Sequence, residues 1–260
     1  MSLPASLMQG KPATDFVAKL NGAEFPPIPC PAERSADFCA VTGIGLDGTP
    51  DDSQLVVATK EGVEPPVSLS VPVKIGTKSL PSHELKVAPA HVDVSEADKK
   101  RMEEERKETD AVYHASATEP LWSGKFRLPG KGDTTSPFGS SRRYNGKVAS
   151  VHYGLDMRGN EKTRVTASNA GRVVLAKNLF NGGNMVIVDH GLGLFTSYAH
   201  LSAFAVKVGD VVKNGQHLGQ VGATGRATGP HLHWGVRLHE LFVDPAEFIR
   251  VINEKVINSK

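Results

Sequence analysis

The tightest constraint on this chain is a set of histidines that only a particular fold could bring together. His152-Tyr153-Gly154-Leu155-Asp156 lies just past the middle and His231-Leu232-His233 near the end, with His200 between them in Ser197-Tyr198-Ala199-His200-Leu201. A catalytic zinc site usually takes three protein ligands from His, Asp, Glu or Cys and leaves a fourth position open for water. His152, Asp156 and one histidine of the His231/His233 pair are the candidates here. In an extended strand, residues four apart face the same way but lie roughly 13 Å from each other, too far to share one ion. The chain must therefore bend between His152 and Asp156, and Gly154 is the residue placed to allow it. His231 and His233 would share one strand face about 7 Å apart. One can then hold the metal while the other stands beside the attacking water. Zn2+ suits that division, because it lowers the pKa of water towards about 7 and a neutral imidazole can take the proton.

The surrounding sequence predicts a mainly β chain. From Trp122 onward, short apolar runs such as "GRVVLAKN", "NMVIVDH", "LFTSYAHL", "VKVGDVV" and "LHWGVRL" alternate with Gly-containing turns. Connections this short imply antiparallel pairing in a compact sheet or barrel-like domain over residues 122–260. The final "PAEFIRVINEKVI" has helical periodicity, with Phe248, Val251 and Ile252 on one face. Residues 1–88 show weaker alternation broken by Asn21-Gly22, Asp47-Gly48 and Glu61-Gly62, which predicts a small β-sandwich. Residues 89–121 change character. Ser95 is a candidate N-cap for a charged helix with Glu96 and Asp98 in its first turn, and Glu103 and Lys107 fall at the favourable i, i+4 spacing. Its apolar face is thin, chiefly Met102, Val112 and Tyr113, so a solvated helical linker is expected.

A chain of 260 residues exceeds the usual single domain. Its 30 Lys and Arg against 28 Asp and Glu give a net charge of +2, scattered without a basic tract, so no nucleic-acid partner is indicated. No window approaches the apolar length of an integral membrane helix, and Met1-Ser2-Leu3-Pro4-Ala5 lacks the regions of a signal peptide. Cys30 and Cys39 are the only cysteines. In an exported protein they could close a small loop worth roughly 2.5 to 3 kcal/mol on the chain-entropy model; two buried thiols are the other reading. Oligomeric state stays open.

With these motifs in order, the chain resembles the lysostaphin/LytM-type zinc metallopeptidases, whose signature is H-x-x-x-D followed by H-x-H with a third histidine between. The resemblance covers about residues 120 to 248, through "SPFGSSRRYNG", "SVHYGLDM", "GGNMVIVDHGLGLFTSYAHLS" and "VKVGDVVKNGQHLGQVGATGRATGPHLHWGV". It implies His152, Asp156 and His233 as Zn2+ ligands and His231 and His200 as catalytic residues, with none of the five departing from the pattern. His190 resembles a recurrent position with a structural role at a turn. The implied activity is zinc-dependent hydrolysis of peptide crosslinks in bacterial peptidoglycan, as a D,D-endopeptidase. The alternatives are a glycyl-glycine endopeptidase of the lysostaphin type and a non-catalytic regulator of cell-wall amidases. The implied location is the periplasm or cell envelope, with a longer exported precursor, and residues 1–88 resemble the immunoglobulin-like region of some envelope members. A β-lined groove would accept an extended peptide, with Arg142, Tyr144 and Asn145 as candidates to line it.

Overall fold

The computed structural model describes residues 2–3, 11–29, 38–39, 41–46, 52–85, 95–144 and 147–257. The chain divides into two compact units, Met1–Ser79 with Val251–Lys260, and Leu80–Arg250.

The first unit contains two antiparallel sheets. One is formed by β1 (Ser2–Leu3), β4 (Ile28–Pro29) and β5 (Phe38–Cys39) in the order β1-β5-β4. The other contains β2 (Phe16–Leu20), β3 (Ala23–Phe25), β6 (Asp52–Thr59) and β7 (Ser68–Lys74) in the order β3-β2-β6-β7. Asn21-Gly22, both with positive φ, makes the two-residue turn between β2 and β3, the geometry that pair favours. Phe16, Ala18 and Leu20 alternate inward along β2 and meet Phe25, Leu55 and Val57 in one core. Cys39 is disulfide-bonded; Cys30 lies outside the described residues.

The second unit opens with β8 (Ser82–Leu85), although the sequence reading carries the N-terminal module on to residue 88. Helix α1 (Glu96–Tyr113) follows, and the Ser95 side chain accepts from Asp98 N as its N-cap. Then come β9 (Thr134–Ser136), β10 (Ser141–Tyr144), β11 (Lys147–Val151), β12 (Leu155–Arg158), β13 (Arg164–Thr166), β14 (Gly171–Leu179), β15 (Gly183–Asp189) and β16 (Leu194–Phe204). The last strands are β17 (Val211–Val212), β18 (His217–Val221), β19 (His231–Leu238) and β20 (Leu241–Val243), before α2 (Pro245–Val251) and a π-helical turn at Ile252–Ile257. Phe248 is buried as expected from the helical period, but Val251 is exposed.

The main sheet runs β17-β14-β15-β16-β19-β12-β9, with β18 bridging β16 and β13. It is an open antiparallel sheet, one of the two forms the sequence allows, and not a closed barrel. The reason lies in β16, which changes partner along one edge. Leu194 to Ala199 pair with β19, whereas Leu201 to Phe204 pair with β18. The fork falls at His200. A smaller sheet, β11-β10-β8, has one parallel pairing, between β8 and β10.

Helix α1 is held to the second unit more firmly than its thin apolar face suggested. Tyr113 packs with Leu175, Leu179, Ile187 and Phe195, and Arg237 stacks over its ring at 4.3 Å. Glu105 accepts from Phe180 N at 2.8 Å, and Lys177 pairs with Glu108 at 2.6 Å. The polar face thus contributes contacts as well as solubility. Among the described residues, no helix is long and apolar enough to cross a membrane.

A buried polar chain lies within this unit. His190, with no exposed surface, donates through Nδ1 to Ala170 O (2.7 Å). Its Nε2 meets Thr196 Oγ1 (2.8 Å), and Thr196 contacts the Tyr198 hydroxyl (2.8 Å), which donates to Ser168 Oγ (3.1 Å). Burial pushes the imidazole down to about 4, outweighing the backbone hydrogen bond and the Asp189 charge that favour protonation. Because the folded value lies below the unfolded one, this contribution to stability is full above about pH 6.5 and is lost as pH falls towards 4.

Two outcomes are expected. Unfolding free energy from urea titrations should fall by about 3 kcal/mol between pH 6.5 and 4 on account of His190, and His190→Gln should flatten that slope; an unchanged slope would contradict the assignment. Tyr113→Ala should cost about 3 kcal/mol in the same measurement at pH 7.

Candidate metal centre

The antiparallel register of β12 and β19 places Asp156 directly opposite His233, and Arg158 opposite His231. His231 and His233 share a face of β19 while Leu232 and Trp234 are buried on the other, as the two-residue spacing predicts. His152 lies outside both neighbouring strands, in the connection from β11 to β12. That break in extended structure solves the distance problem between His152 and Asp156. Gly154 contributes in a different way from the one expected. Its φ is not positive, and what it supplies is space: a Cβ there would lie 2.5 Å from His233 Cε1 and 2.8 Å from Trp234 O.

Three donor atoms meet at nearly equal spacing. His152 Nε2 lies 2.8 Å from Asp156 Oδ1 and 2.9 Å from His233 Nδ1, which is 2.9 Å from the same carboxylate oxygen. The other nitrogen of His152, Nδ1, is 2.9 Å from Pro137 O, an acceptor only, and so carries the proton. In the neutral ring Nε2 is then a lone pair, facing a carboxylate oxygen across 2.8 Å with no proton of its own to share. A cation resolves that conflict. Tetrahedral zinc with ligands at about 2.0–2.1 Å needs a triangular face only a few tenths of an ångström wider, and Zn2+ fits this donor set. These three residues, with atoms all within 4.8 Å, could hold a metal ion.

The electrostatics agree. Burial would raise the Asp156 carboxyl, but the imidazoles of His152 and His233 beside it, through polar contact and charge, hold it well below the usual carboxylate range. Burial pushes the His233 imidazole down, against the pull of Asp156. The group is thus set to offer one anionic and two neutral ligands.

Comparison with known proteins bears on what such a centre belongs to. The model of peptidase family M23 matches residues 150–245. A crystal structure from Pseudomonas aeruginosa, described as a peptidase M23, is 32% identical and superposes with a TM-score of 0.70 over 90% of this chain and 87% of that one. The chain belongs to peptidase family M23. Two curated relatives match its second half. The DD-carboxypeptidase/endopeptidase Mpg of Neisseria meningitidis is 39% identical over 111 residues, 43% of this chain and 26% of that protein. The peptidoglycan DD-endopeptidase ShyA of Vibrio cholerae is 43% identical over 88 residues, 34% of this chain and 20% of that protein. The chain therefore spans about a fifth to a quarter of the length of these relatives.

In this M23 chain two further histidines border the candidate metal ligands. His231 Nδ1 donates to Gly229 O (2.8 Å), which leaves Nε2 unprotonated, 3.8 Å from Asp156 Oδ1. His200 Nδ1 donates to Thr224 O (2.9 Å), and the two rings lie 4.7 Å apart between centroids. Burial pushes the His200 imidazole down to about 4, only partly offset by the bond to Thr224 O. In the neutral form of each ring the Nε2 side is consequently an acceptor.

The backbone at His200 is unusual. Its φ of 61° is left-handed, and it sits where β16 carries one extra residue against β15, between the pairs Val186 with Tyr198 and Asn184 with Leu201. A non-glycine residue there costs of order 1 kcal/mol or more and persists only when its surroundings fix it. They do: His200 N donates to Gly182 O (2.7 Å), while Thr224 Oγ1 accepts from Asn184 N (2.9 Å) and donates to Leu201 O (2.8 Å). Sequence reading named His200 but not Thr224 or the bulge, because a backbone carbonyl that orients an imidazole leaves no mark in residue type.

The five histidine and aspartate positions line one groove of about 680 Å3, with Ser140, Ser150, Asn181, Met185 and Arg226 among the other lining residues. Arg142 and Tyr144 lie on β10 and Asn145 lies outside the described residues, so none of the three enters this account of the groove. His217 is half-buried on β18, its Nε2 donating to Gly219 O.

Gly154→Ala should weaken metal binding by about 10- to 100-fold, the size of effect typical for groups that orient ligands, with far-UV circular dichroism unchanged. Competition with a chromophoric chelator measures this, and unaltered affinity would show that the space beside His233 is dispensable.

Proposed function

We propose that this chain is a zinc-dependent endopeptidase that hydrolyses peptide crosslinks of bacterial peptidoglycan outside the cytoplasm, with His152, Asp156 and His233 as the metal ligands. The observation that carries the reading is the meeting of the His152 Nε2 lone pair and the Asp156 carboxylate beside His233, with the unprotonated edge of His231 turned towards them. Membership of family M23 and similarity to proteins named DD-endopeptidase and DD-carboxypeptidase support the reaction and the substrate class.

Zinc held by these residues would polarise the scissile carbonyl and lower the pKa of the attacking water. The side chains supply the remaining proton chemistry. His231 Nε2 takes a proton from the water as its oxygen bonds to the carbonyl carbon. The same ring returns that proton to the amide nitrogen as the carbon–nitrogen bond breaks, leaving one carboxylic acid and one amine. With its Nδ1 proton committed to Thr224 O, neutral His200 accepts a hydrogen bond from the water and so fixes the direction of attack. It is not set to donate to a developing oxyanion.

A catalytically silent regulator is disfavoured because each of the five positions carries a side chain able to ligate a metal or transfer a proton, and all five line one groove. The first unit contributes no comparable cluster among the described residues, and we assign it an accessory role, of the immunoglobulin-like kind, to the peptidase unit.

The test is digestion of purified peptidoglycan of known crosslink chemistry, with products read by mass. His231→Ala should retain near-stoichiometric zinc and lose at least about 100-fold in rate, within the usual contribution of acid–base catalysis. His233→Ala should lose both metal and activity. If both variants keep metal and activity, the roles given to the two histidines are wrong.

A further inference from the structure

Arg226 stands out among the groove-lining residues. It is the only one there with a permanent positive charge, and its guanidinium has no acidic or hydrogen-bonding partner among the described residues. Its backbone, by contrast, is tightly fixed. Arg226 N donates to Asn181 O (3.0 Å). The preceding Gly225 has a φ of 72° and sits so close to Gly183 that a Cβ would collide with the Gly183 amide. Two residues earlier, Thr224 O holds the His200 ring. The chain thus mounts a long cationic side chain on the segment that fixes one site imidazole and leads into another, His231. Asp156, the only carboxylate lining the groove, is already committed to His152 and His233. An arginine so placed is suited to a carboxylate brought in by the ligand, which it can meet with two parallel hydrogen bonds.

Which carboxylate follows from where the arginine lies. Its segment runs into His231, the residue assigned to return a proton to the departing nitrogen. We propose that Arg226 is a specificity-determining residue that binds a free carboxylate on the same carbon as the departing amine. This inference rests on the peptidase reading above and narrows it. Two kinds of stem-peptide bond share that chemistry: a crosslink from D-alanine to the amine beside a carboxylate of diaminopimelate, and a terminal D-alanyl-D-alanine bond. A glycine bridge running on into further peptide lacks it. Amidating that carboxylate removes the charge while leaving the scissile bond intact.

The experiment compares the zinc-loaded full chain with Arg226→Gln and Arg226→Lys. The substrates are crosslinked dimers with the carboxylate free, the same dimers amidated, and stems ending in D-alanyl-D-alanine. Wild type should favour the free acid over the amide by about 10- to 100-fold in kcat/KM, the range for a charge-assisted pair. Arg226→Gln should lose that preference by slowing on the acid alone, and Arg226→Lys should keep part of it. Relative rates on the dimers and the linear stems tell which source is used. Calorimetric binding of uncleaved acid and amide fragments to metal-stripped protein gives a readout independent of hydrolysis. A wild type indifferent to amidation, or an Arg226→Gln variant that keeps the full preference, overturns the proposal while leaving peptidase activity in place. Absence of cleavage by wild type, with an acid preference in binding that Arg226→Gln abolishes, overturns the peptidase reading and leaves the carboxylate site standing.

Discussion

A lone pair on His152 faces a carboxylate oxygen of Asp156 across 2.8 Å, and much of the second unit is arranged to keep them there. Two acceptors at that distance repel unless a proton or a cation lies between them, and in a part-buried setting there is little water to screen the repulsion. Pro137 O fixes one ring nitrogen of His152, cross-strand pairing with His233 fixes the position of Asp156, and the bare α-carbon of Gly154 lets His233 close on both. Bringing the three donors this close costs the metal-free protein free energy. These devices make sense together as preparation for a doubly charged ion, whose binding free energy would offset the cost of assembling them.

The same sheet that assembles the ligands also opens the groove. Because β16 gives one edge first to β19 and then to β18, the strands part at His200 and leave a concave face beside the metal ligands. The imidazoles of His200 and His231 are each fixed by a backbone carbonyl, Thr224 O and Gly229 O, so their tautomers follow from local hydrogen bonding and not from an acidic partner. Neutral orienting groups leave the proton affinity of the free nitrogen to be set by burial and by whatever charge lies beside it. This is a different solution from the carboxylate-supported histidine of other hydrolases, and it keeps negative charge at the site confined to Asp156 and the ligand.

Much of this was legible in the sequence, for identifiable reasons. The His231 and His233 pair obeys the two-residue period of a strand, Asn21-Gly22 makes its turn, and Ser95 caps its helix, because each is a local property written in consecutive residues. The convergence of His152 and Asp156 with one histidine of the His231/His233 pair follows from what metal chemistry demands, and the choice of His233 from the family resemblance; nothing local says that β12 lies beside β19. The choice of an open sheet over a barrel, the fork in β16 and the parallel pairing of β8 with β10 were not legible, since partner choice depends on contacts far apart along the chain. Gly154 was identified for the wrong physical property, with conformational freedom expected where steric room is what the structure requires. The charged helix was read correctly as a helix but too weakly as a packing element, because its polar side chains reach backbone and side-chain partners on β14 and just beyond it.

The interlock of residues 181–184 with 224–226 limits how the family could diversify. These two loops share hydrogen bonds through Thr224 and Asn181 and touch at glycines too close for any larger residue, so lengthening either would also unseat the left-handed turn at His200. That rim of the cleft is frozen to insertion by its own fit. Variation in the shape of what the cleft accepts has its room elsewhere along the lining, near Ser140, Ser150 and Val151, where a hairpin borrows its outer strand from a segment that precedes the helix. Change at the site would therefore be asymmetric, with one lip of the cleft held constant and the other free to be rebuilt.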